Sequence, residues 1–218
     1  LDMVINAPIP NIIDDYLSAT PTIINVAGIN EDILVPRDLD FHPDLARNEL
    51  WVLNKDTENS GGSTVTFYDV TAPNPVFEYR RDGNAWHFMS LPTGIAMGDN
   101  NNFATCPGVY DANHNGPPPF TGPSLWSCDT AIYARPSGGN GSHLDMLHVN
   151  PECQGIAHES ANVYWVTDGF NGDVTRCDFQ DDHGPGNDDH TDAIIRRYTG
   201  FSITKDPNDH IVSHLVLD

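Results

Sequence analysis

The stretch Gln154-Gly-Ile-Ala-His158, followed by the aromatic strand Tyr164-Trp-Val-Thr-Asp168, decides the fold because its pattern recurs along the chain. Comparable segments begin at Arg37, Thr93 and His214, so the four starting points lie 56, 61 and 60 residues apart. Self-similarity at a fixed period is typical of repeat architectures, in which each unit buries its apolar face against its neighbours. The repeat therefore predicts a single domain built from similar units.

Each of the first three repeats contains four short runs of strand-forming residues separated by turn residues, and no segment has a helical period. Short strands at this spacing predict four-stranded antiparallel sheets, and such sheets arranged around an axis form an all-β propeller. The predicted strands are Asp38–Phe41, Glu49–Asn54, Ser63–Asp69 and Val76–Tyr79; Gly94–Met97, Asn102–Cys106, Asp129–Ala134 and His143–His148; and Gly155–His158, Val163–Thr167, Asp173–Phe179 and Ala193–Tyr198.

The two ends of the chain depart from the repeat. Residues 1–35 are predicted to be a lead-in with one strand at Thr22–Val26, and residues 36–218 to form about three blades and one further strand. That last strand, Val212–Asp218, would leave an unpaired edge if it stood alone, which proteins normally avoid. We therefore expect the propeller to be completed by a longer polypeptide or by another chain.

The third repeat carries a resemblance to a known family. Gly-Ile-Ala, an aromatic strand that ends in Asp, and then Gly169-Phe-Asn-Gly-Asp-Val174 resemble the NHL repeat. Gln154–Phe179 is the best match, and Val212–Asp218 is similar to the start of another NHL blade. The resemblance implies an NHL-like β-propeller that is six-bladed when complete. Among NHL propellers, the peptidyl-α-hydroxyglycine α-amidating lyases begin blades with Pro-His-Gly-Leu-type segments whose histidines hold a zinc near the central channel.

The residues that open the repeats are predicted to line this channel, and only His214 matches the zinc-binding histidine of the lyases. A catalytic zinc needs three protein ligands and an open fourth position. A channel zinc would therefore need ligands from blades outside this chain, and a polar channel around ordered water is the alternative. The predicted channel-lining residues are Arg37, Thr93, Gln154 and His214.

The densest cluster of chemically active side chains is Asp181–Asp192, with five aspartates and two histidines around a Gly-Pro-Gly turn. Like charges crowded around a turn repel one another unless a cation offsets them. Calcium binds carboxylate and carbonyl oxygens, and oxygens outnumber imidazoles here, so calcium is predicted before zinc or copper. A solvated acidic loop is the alternative. The candidate ligands are Asp181, Asp182, His183, Asp188, Asp189, His190 and Asp192.

The four cysteines indicate the compartment. Cys106 and Cys128 bracket a Pro/Gly-rich excursion that a disulfide would close, with a gain of roughly 3 kcal/mol in the chain-entropy model. Cys153 and Cys177 are then predicted to pair with each other. Disulfides are typical of oxidising compartments, so we expect a secreted, extracellular or periplasmic protein.

Charge and composition exclude two kinds of partner. The net charge is −21 with only ten Lys and Arg, which form no basic stripe, so binding to nucleic acid is not expected. No run of about 18 apolar residues is present to span a membrane. Four aromatic residues at one place in the repeat are predicted to pack between blades: Trp51, Phe103, Tyr164 and Trp165.

Two functions stay open from the sequence. The first is a secreted, cation-stabilised NHL-like propeller that acts as a binding or structural module for a protein or small-molecule ligand. The second is a metal-dependent lyase or hydrolase with its site at the channel mouth. The sequence contains neither the Gly-x-Ser-x-Gly elbow of serine hydrolases nor a Gly-x-x-x-x-Gly-Lys phosphate loop.

Overall fold

The computed structural model describes residues 26–57, 61–109, 120–135, 139–200 and 214–217. Within these residues the fold is all-β, as predicted, with three four-stranded antiparallel sheets. The first sheet contains β1 (Pro36–Phe41), β2 (Leu50–Thr57), β3 (Gly61–Tyr68) and β4 (Val76–Arg80). The second contains β5 (Pro92–Met97), β6 (Asn102–Pro107), β7 (Ser124–Ser127) and β8 (Asp145–Met146). The third contains β9 (Ile156–Ser160), β10 (Val163–Asp168), β11 (Asp173–Asp178) and β12 (Ile194–Tyr198).

The second sheet departs most from the predicted strands. Residues 129–134 form a turn because the Asp129 carboxylate accepts a hydrogen bond from the Ala131 amide and its carbonyl accepts from Ile132 and Tyr133. The third strand is instead Ser124–Ser127, and the predicted strand at 143–148 shrinks to two residues. A short helix, α1 (Ala85–Phe88), precedes the sheet and was not predicted.

The ends of the chain are described only in part. The strand predicted at Thr22–Val26 lies outside the described residues except for Val26, which is not in a strand. Residues 214–217 of the predicted fourth-repeat strand have no regular secondary structure. A 3-10 helix covers Ile29–Glu31, and no helix in the described part of the chain is long and apolar enough to cross a membrane.

The first strands of the three sheets lie side by side, with β1 against β5 and β5 against β9. Two carboxylates of β1 join the first pair. The Ile95 amide donates to Asp38 Oδ2 at 2.9 Å, and the Met97 amide donates to Asp40 Oδ2 at 2.8 Å. The i, i+2 spacing of these aspartates places both on the same face of β1. The sheets are therefore aligned by side chain to backbone hydrogen bonds as well as by apolar packing.

Two hydrophobic cores separate the three sheets. Trp51, Phe103 and Trp126 belong to the core between the first and second sheets. Tyr164 and Phe179 belong to the core between the second and third. The prediction that the recurring aromatics pack between units is therefore confirmed for Trp51, Phe103 and Tyr164, which have no exposed surface.

Trp165 is different because neighbouring strand residues point to opposite faces. Its ring packs on Tyr198 with centroids 5.1 Å apart, and its indole N–H donates to Glu159 at 2.7 Å. Trp165 is only partly buried, and it lies on the face of the third sheet that points away from the second. The prediction of an inter-sheet position is wrong for this residue.

The predicted disulfide pairs, Cys106–Cys128 and Cys153–Cys177, are wrong. Cys106 is bonded to Cys153, with Cα atoms 5.7 Å apart, and the thiols of Cys128 and Cys177 are free and buried. The reason is the alternation of side chains across the second sheet. Cys106 faces the core shared with the third sheet, whereas Cys128 faces the core shared with the first. The observed bond therefore ties the second sheet to the segment that leads into the third.

Candidate metal centre

Three ligand-bearing side chains from two sheets converge at one place. Asp145 on β8 and His183 and Asp192 on the loop between β11 and β12 each offer one ligand atom, and these atoms all lie within 4.8 Å of one another. Asp145 belongs to the second sheet, and the loop belongs to the third. An ion at this position would therefore cross-link two sheets.

Asp145 is held inside the protein by a short strand. It pairs with Leu125 of β7, and its side chain has no exposed surface. The Met146 amide donates to Asp145 Oδ1 at 2.6 Å, and His190 Nδ1 donates to the same oxygen at 2.8 Å. The other oxygen, Oδ2, is buried and has no hydrogen-bond partner among the described residues. A buried carboxylate oxygen without a partner is costly, and a bound cation would offset this cost.

The loop folds so that its two arms meet. Gly184 and Gly186 adopt positive φ angles of 81° and 74°, which suit glycine at the turn. His183 Nε2 lies 2.9 Å from Asp192 Oδ1 across the loop. The hydrogen bond to Asp192 raises the pKa of His183 above its ordinary value. The Gly186 amide donates to the His143 carbonyl at 2.8 Å, and this bond holds the loop against the second sheet.

Two further imidazoles lie beside His190, which donates to Asp145. The His190 ring centroid lies 5.5 Å from that of His143 and 6.0 Å from that of His148. His143 is fully buried, and burial lowers its pKa to about 4. His148 is exposed. The cluster therefore offers nitrogen as well as oxygen donors.

The remaining predicted ligands lie outside the cluster and shape the loop. Asp182 Oδ1 accepts from the Gly184 amide at 2.7 Å, and Asp189 Oδ1 accepts from the Thr191 hydroxyl at 2.7 Å. Asp188 accepts a hydrogen bond from the Asn140 amide group. Asp181, Asp182, Asp188 and Asp189 are all exposed.

Of the seven predicted ligands, the structure brings His183 and Asp192 into the cluster and places His190 beside it. Asp145 was missed because it meets the loop from 45 residues away in sequence. Its signal was present in the apolar run Leu144-Asp-Met-Leu147, since a charged residue at a core position is rarely buried without a partner.

The four predicted channel residues do not converge. Arg37 and His214 line one cavity of about 270 Å³ beside β1, and the His214 side chain is 67% exposed. Thr93 donates hydrogen bonds to the carbonyls of Cys106 and Cys153 near the disulfide. The backbone amide nitrogen of Gln154 lies 3.4 Å from the Thr167 hydroxyl oxygen.

A second cavity, of about 400 Å³, lies along β1, β5 and β9 and contains His214 but not the other three. Its polar side chains include Asp38, Asp40 and His158. Burial raises the pKa of both aspartates. Within the described residues, none of these side chains joins a group of three with metal-binding spacing.

Among the described residues, the geometry yields a cluster with metal-ligand spacing and a polar cavity along the first strands of the sheets. Comparison with protein-family models and with curated proteins found no match for the chain.

Proposed function

We propose that this chain is a secreted binding or structural module of the NHL-like propeller type, in which a divalent cation locks the second and third sheets together. The cation binds Asp145, His183 and Asp192. The observation that carries the proposal is that Asp145, which is fully buried and has an Oδ2 without a hydrogen-bond partner among the described residues, offers a ligand atom within 4.8 Å of two further ligand atoms from another sheet. A buried carboxylate oxygen without a hydrogen-bond partner destabilises a fold, and a cation bound to this carboxylate would offset that cost.

A structural role follows from where the ligands come from. One ligand belongs to β8 and two belong to the loop before β12, so the site is complete only when the two sheets are packed. Binding that requires the folded state adds its free energy to stability. The disulfide Cys106–Cys153 joins β6 of the second sheet to the segment before β9, and it supports the proposed location in an oxidising compartment.

The competing function is a metal-dependent lyase or hydrolase at the cavity along β1, β5 and β9. Its support is the presence of Asp38, Asp40, His158 and His214 around about 400 Å³ of space. Both aspartates are already engaged, since each accepts two backbone N–H groups. This leaves them less available as ligands than Asp145, and the module is the better supported function.

Thermal unfolding with and without chelator tests the proposal. Wild-type protein should melt at a higher temperature with a bound divalent ion, because an ion at 100 times its Kd stabilises the fold by about 2.7 kcal/mol. D145N should lose this increment. In chelator its stability should be close to that of wild type, because the asparagine oxygen can still accept the two hydrogen bonds made to Oδ1.

D188N is the matched control. It removes one carboxylate from the same loop, but Asp188 is exposed and lies outside the cluster. D188N should keep the full increment. If no divalent ion shifts the melting curve of the wild type, the proposal is wrong. If the D145N curve shifts as much as that of the wild type, the ion does not bind at Asp145.

A further inference from the structure

We infer that the Asp145, His183 and Asp192 site takes zinc, or another borderline transition-metal ion, in preference to calcium, and that His190 is a positioning residue that presents Asp145 Oδ2 to the ion. This inference rests on the proposed function and names the chemistry of the same site. It is independent of the acidic composition of the loop, because it starts from the buried, unpartnered oxygen of a residue outside the loop.

The donor set favours zinc. Zinc accepts imidazole nitrogen and carboxylate oxygen together and is satisfied by three or four protein ligands. His183 Nε2 and Asp192 Oδ1 lie 2.9 Å apart, so both can face one ion together with Asp145. The side chains of His183 and Asp192 are 17% and 35% exposed, which leaves solvent access for a water ligand.

Calcium needs more oxygen than the site supplies. It takes six to eight oxygen ligands, whereas the cluster offers carboxylates from only two residues. The nearby loop carboxylates of Asp182, Asp188 and Asp189 are engaged in hydrogen bonds that shape the loop. These three side chains are exposed and lie outside the group with metal-ligand spacing, so recruiting them would require the loop to rearrange.

His190 acts on the site through Asp145. Its Nδ1 and the Met146 amide both donate to Oδ1, so this oxygen is occupied and Oδ2 is the atom left to bind the ion. Hydrogen bonds that orient a ligand in this way commonly contribute 10- to 100-fold to metal affinity, as an approximate range. His190 is not itself a member of the three-residue group.

Calorimetric titration of metal-free protein with zinc chloride, calcium chloride and magnesium chloride tests the choice of ion. Zinc should bind about 100-fold more tightly than calcium, since imidazole nitrogen is a poor calcium ligand. H183A should lose zinc binding. Co²⁺ should give the visible absorption of a four-coordinate ion in wild type but not in H183A. Equal affinity for zinc and calcium, or zinc binding unaffected in H183A, would overturn the zinc inference.

These outcomes are separable from a failure of the proposed function. If calcium raises the melting temperature as well as zinc does, and D145N abolishes both effects, the cation-locked module stands and the zinc inference falls. If no divalent ion raises the melting temperature, both fall.

Substitutions at His190 test its positioning role. H190A should weaken zinc binding by about 10- to 100-fold and change the Co²⁺ spectrum. H190N should restore much of the affinity, because an asparagine amide places an N–H donor near the position of Nδ1. H148A is the control, since it removes a ring that neighbours His190 but has no hydrogen bond to Asp145.

A purely structural His190 would give a different pattern. H190A and H190N would then lower the melting temperature of metal-free protein alike, while the zinc affinity and the Co²⁺ spectrum stayed at wild-type values. That pattern would overturn the positioning role.

Discussion

At the scale of single residues, a comparison of two buried polar side chains distinguishes a structural residue from a candidate ligand. Tyr164 and Asp145 are both fully buried, and each has one oxygen without a hydrogen-bond partner among the described residues. The tyrosine oxygen is neutral, and burial keeps its pKa well above the usual range. The carboxylate is the costlier group to bury, and it alone has other ligand atoms within 4.8 Å. The candidate site is therefore identified by a buried carboxylate with other ligand atoms close to it, and not by burial alone.

His42 shows how a buried residue makes stability depend on pH. Its Nδ1 lies 3.1 Å from the Asp44 amide and its Nε2 lies 3.0 Å from Arg47, so hydrogen-bond donors face both nitrogens. Burial, with a contribution from the positive charge of Arg47, lowers the pKa of His42. The folded protein therefore binds fewer protons here than the unfolded chain. The stability contributed by neutral His42 is present above about pH 6.5 and is lost as the pH falls below that value.

We predict that H42N flattens this part of the pH profile. The asparagine oxygen can accept from the Asp44 amide as Nδ1 does, but it does not titrate. Urea unfolding of chelated protein at about pH 7.5 and about pH 5.5 measures the effect, because an unperturbed histidine titrates between these values. Wild type should lose more stability than H42N, by at most about 1.4 kcal/mol per pH unit. Equal losses in the two proteins would contradict the prediction.

At the scale of elements, the second sheet organises the molecule because both of its faces are covered. All six residues of β6 and all four of β7 are buried. Phe103 on β6 pairs with Trp126 on β7, and both face the first sheet. Cys128 follows Trp126 by two residues on that face, whereas Cys106 lies on the opposite one. The register of a single strand pair thus decides which cysteines can meet.

We predict that the bond between Cys106 and Cys153 is the disulfide of the native protein and that its loss strongly lowers the free energy of unfolding. The two cysteines are 47 residues apart, and the chain-entropy model gives about 4 kcal/mol for a loop of this size. The double variant C106S/C153S should lose stability of this order in denaturant unfolding. C128S is the control, since it alters a buried thiol without opening the loop.

Peptide mapping without reduction checks the connectivity directly. The expected linked peptides carry Cys106 and Cys153, and the other two cysteines should react with an alkylating agent only after unfolding. Burial raises the pKa of Cys177 to about 12 and that of Cys128 further, so both remain thiols at neutral pH. A linked pair of Cys106 and Cys128 would contradict the register described above.

At the scale of the whole molecule, the sequence predicted the repeated sheets. It did not predict the contacts between residues that lie far apart in the chain. The period and the alternation within each repeat sufficed for three four-stranded antiparallel sheets, because both are local properties. His183 and Asp192 were predicted as ligands because a turn within one loop brings them together. Asp145 and the partner of Cys106 were missed, since their positions depend on how one sheet packs on the next. A local pattern carries no information on that contact.

The charge of the whole molecule gives a last prediction. With a net charge of −21 and only ten Lys and Arg, the folded chain repels itself more strongly than the expanded chain does. Added monovalent salt screens this repulsion, and at about 1 M the screening length falls to about 3 Å. Stability should therefore rise with salt, and a gain of about 1 kcal/mol corresponds to roughly 2–4 °C in Tm for a chain of this size. The Tm should be measured on D145N in the presence of chelator, because binding at the proposed metal site does not then contribute. Potassium chloride and tetramethylammonium chloride should act alike if screening is the cause. A Tm that falls with salt, or that rises with potassium alone, would mean that specific ion contacts outweigh the overall repulsion.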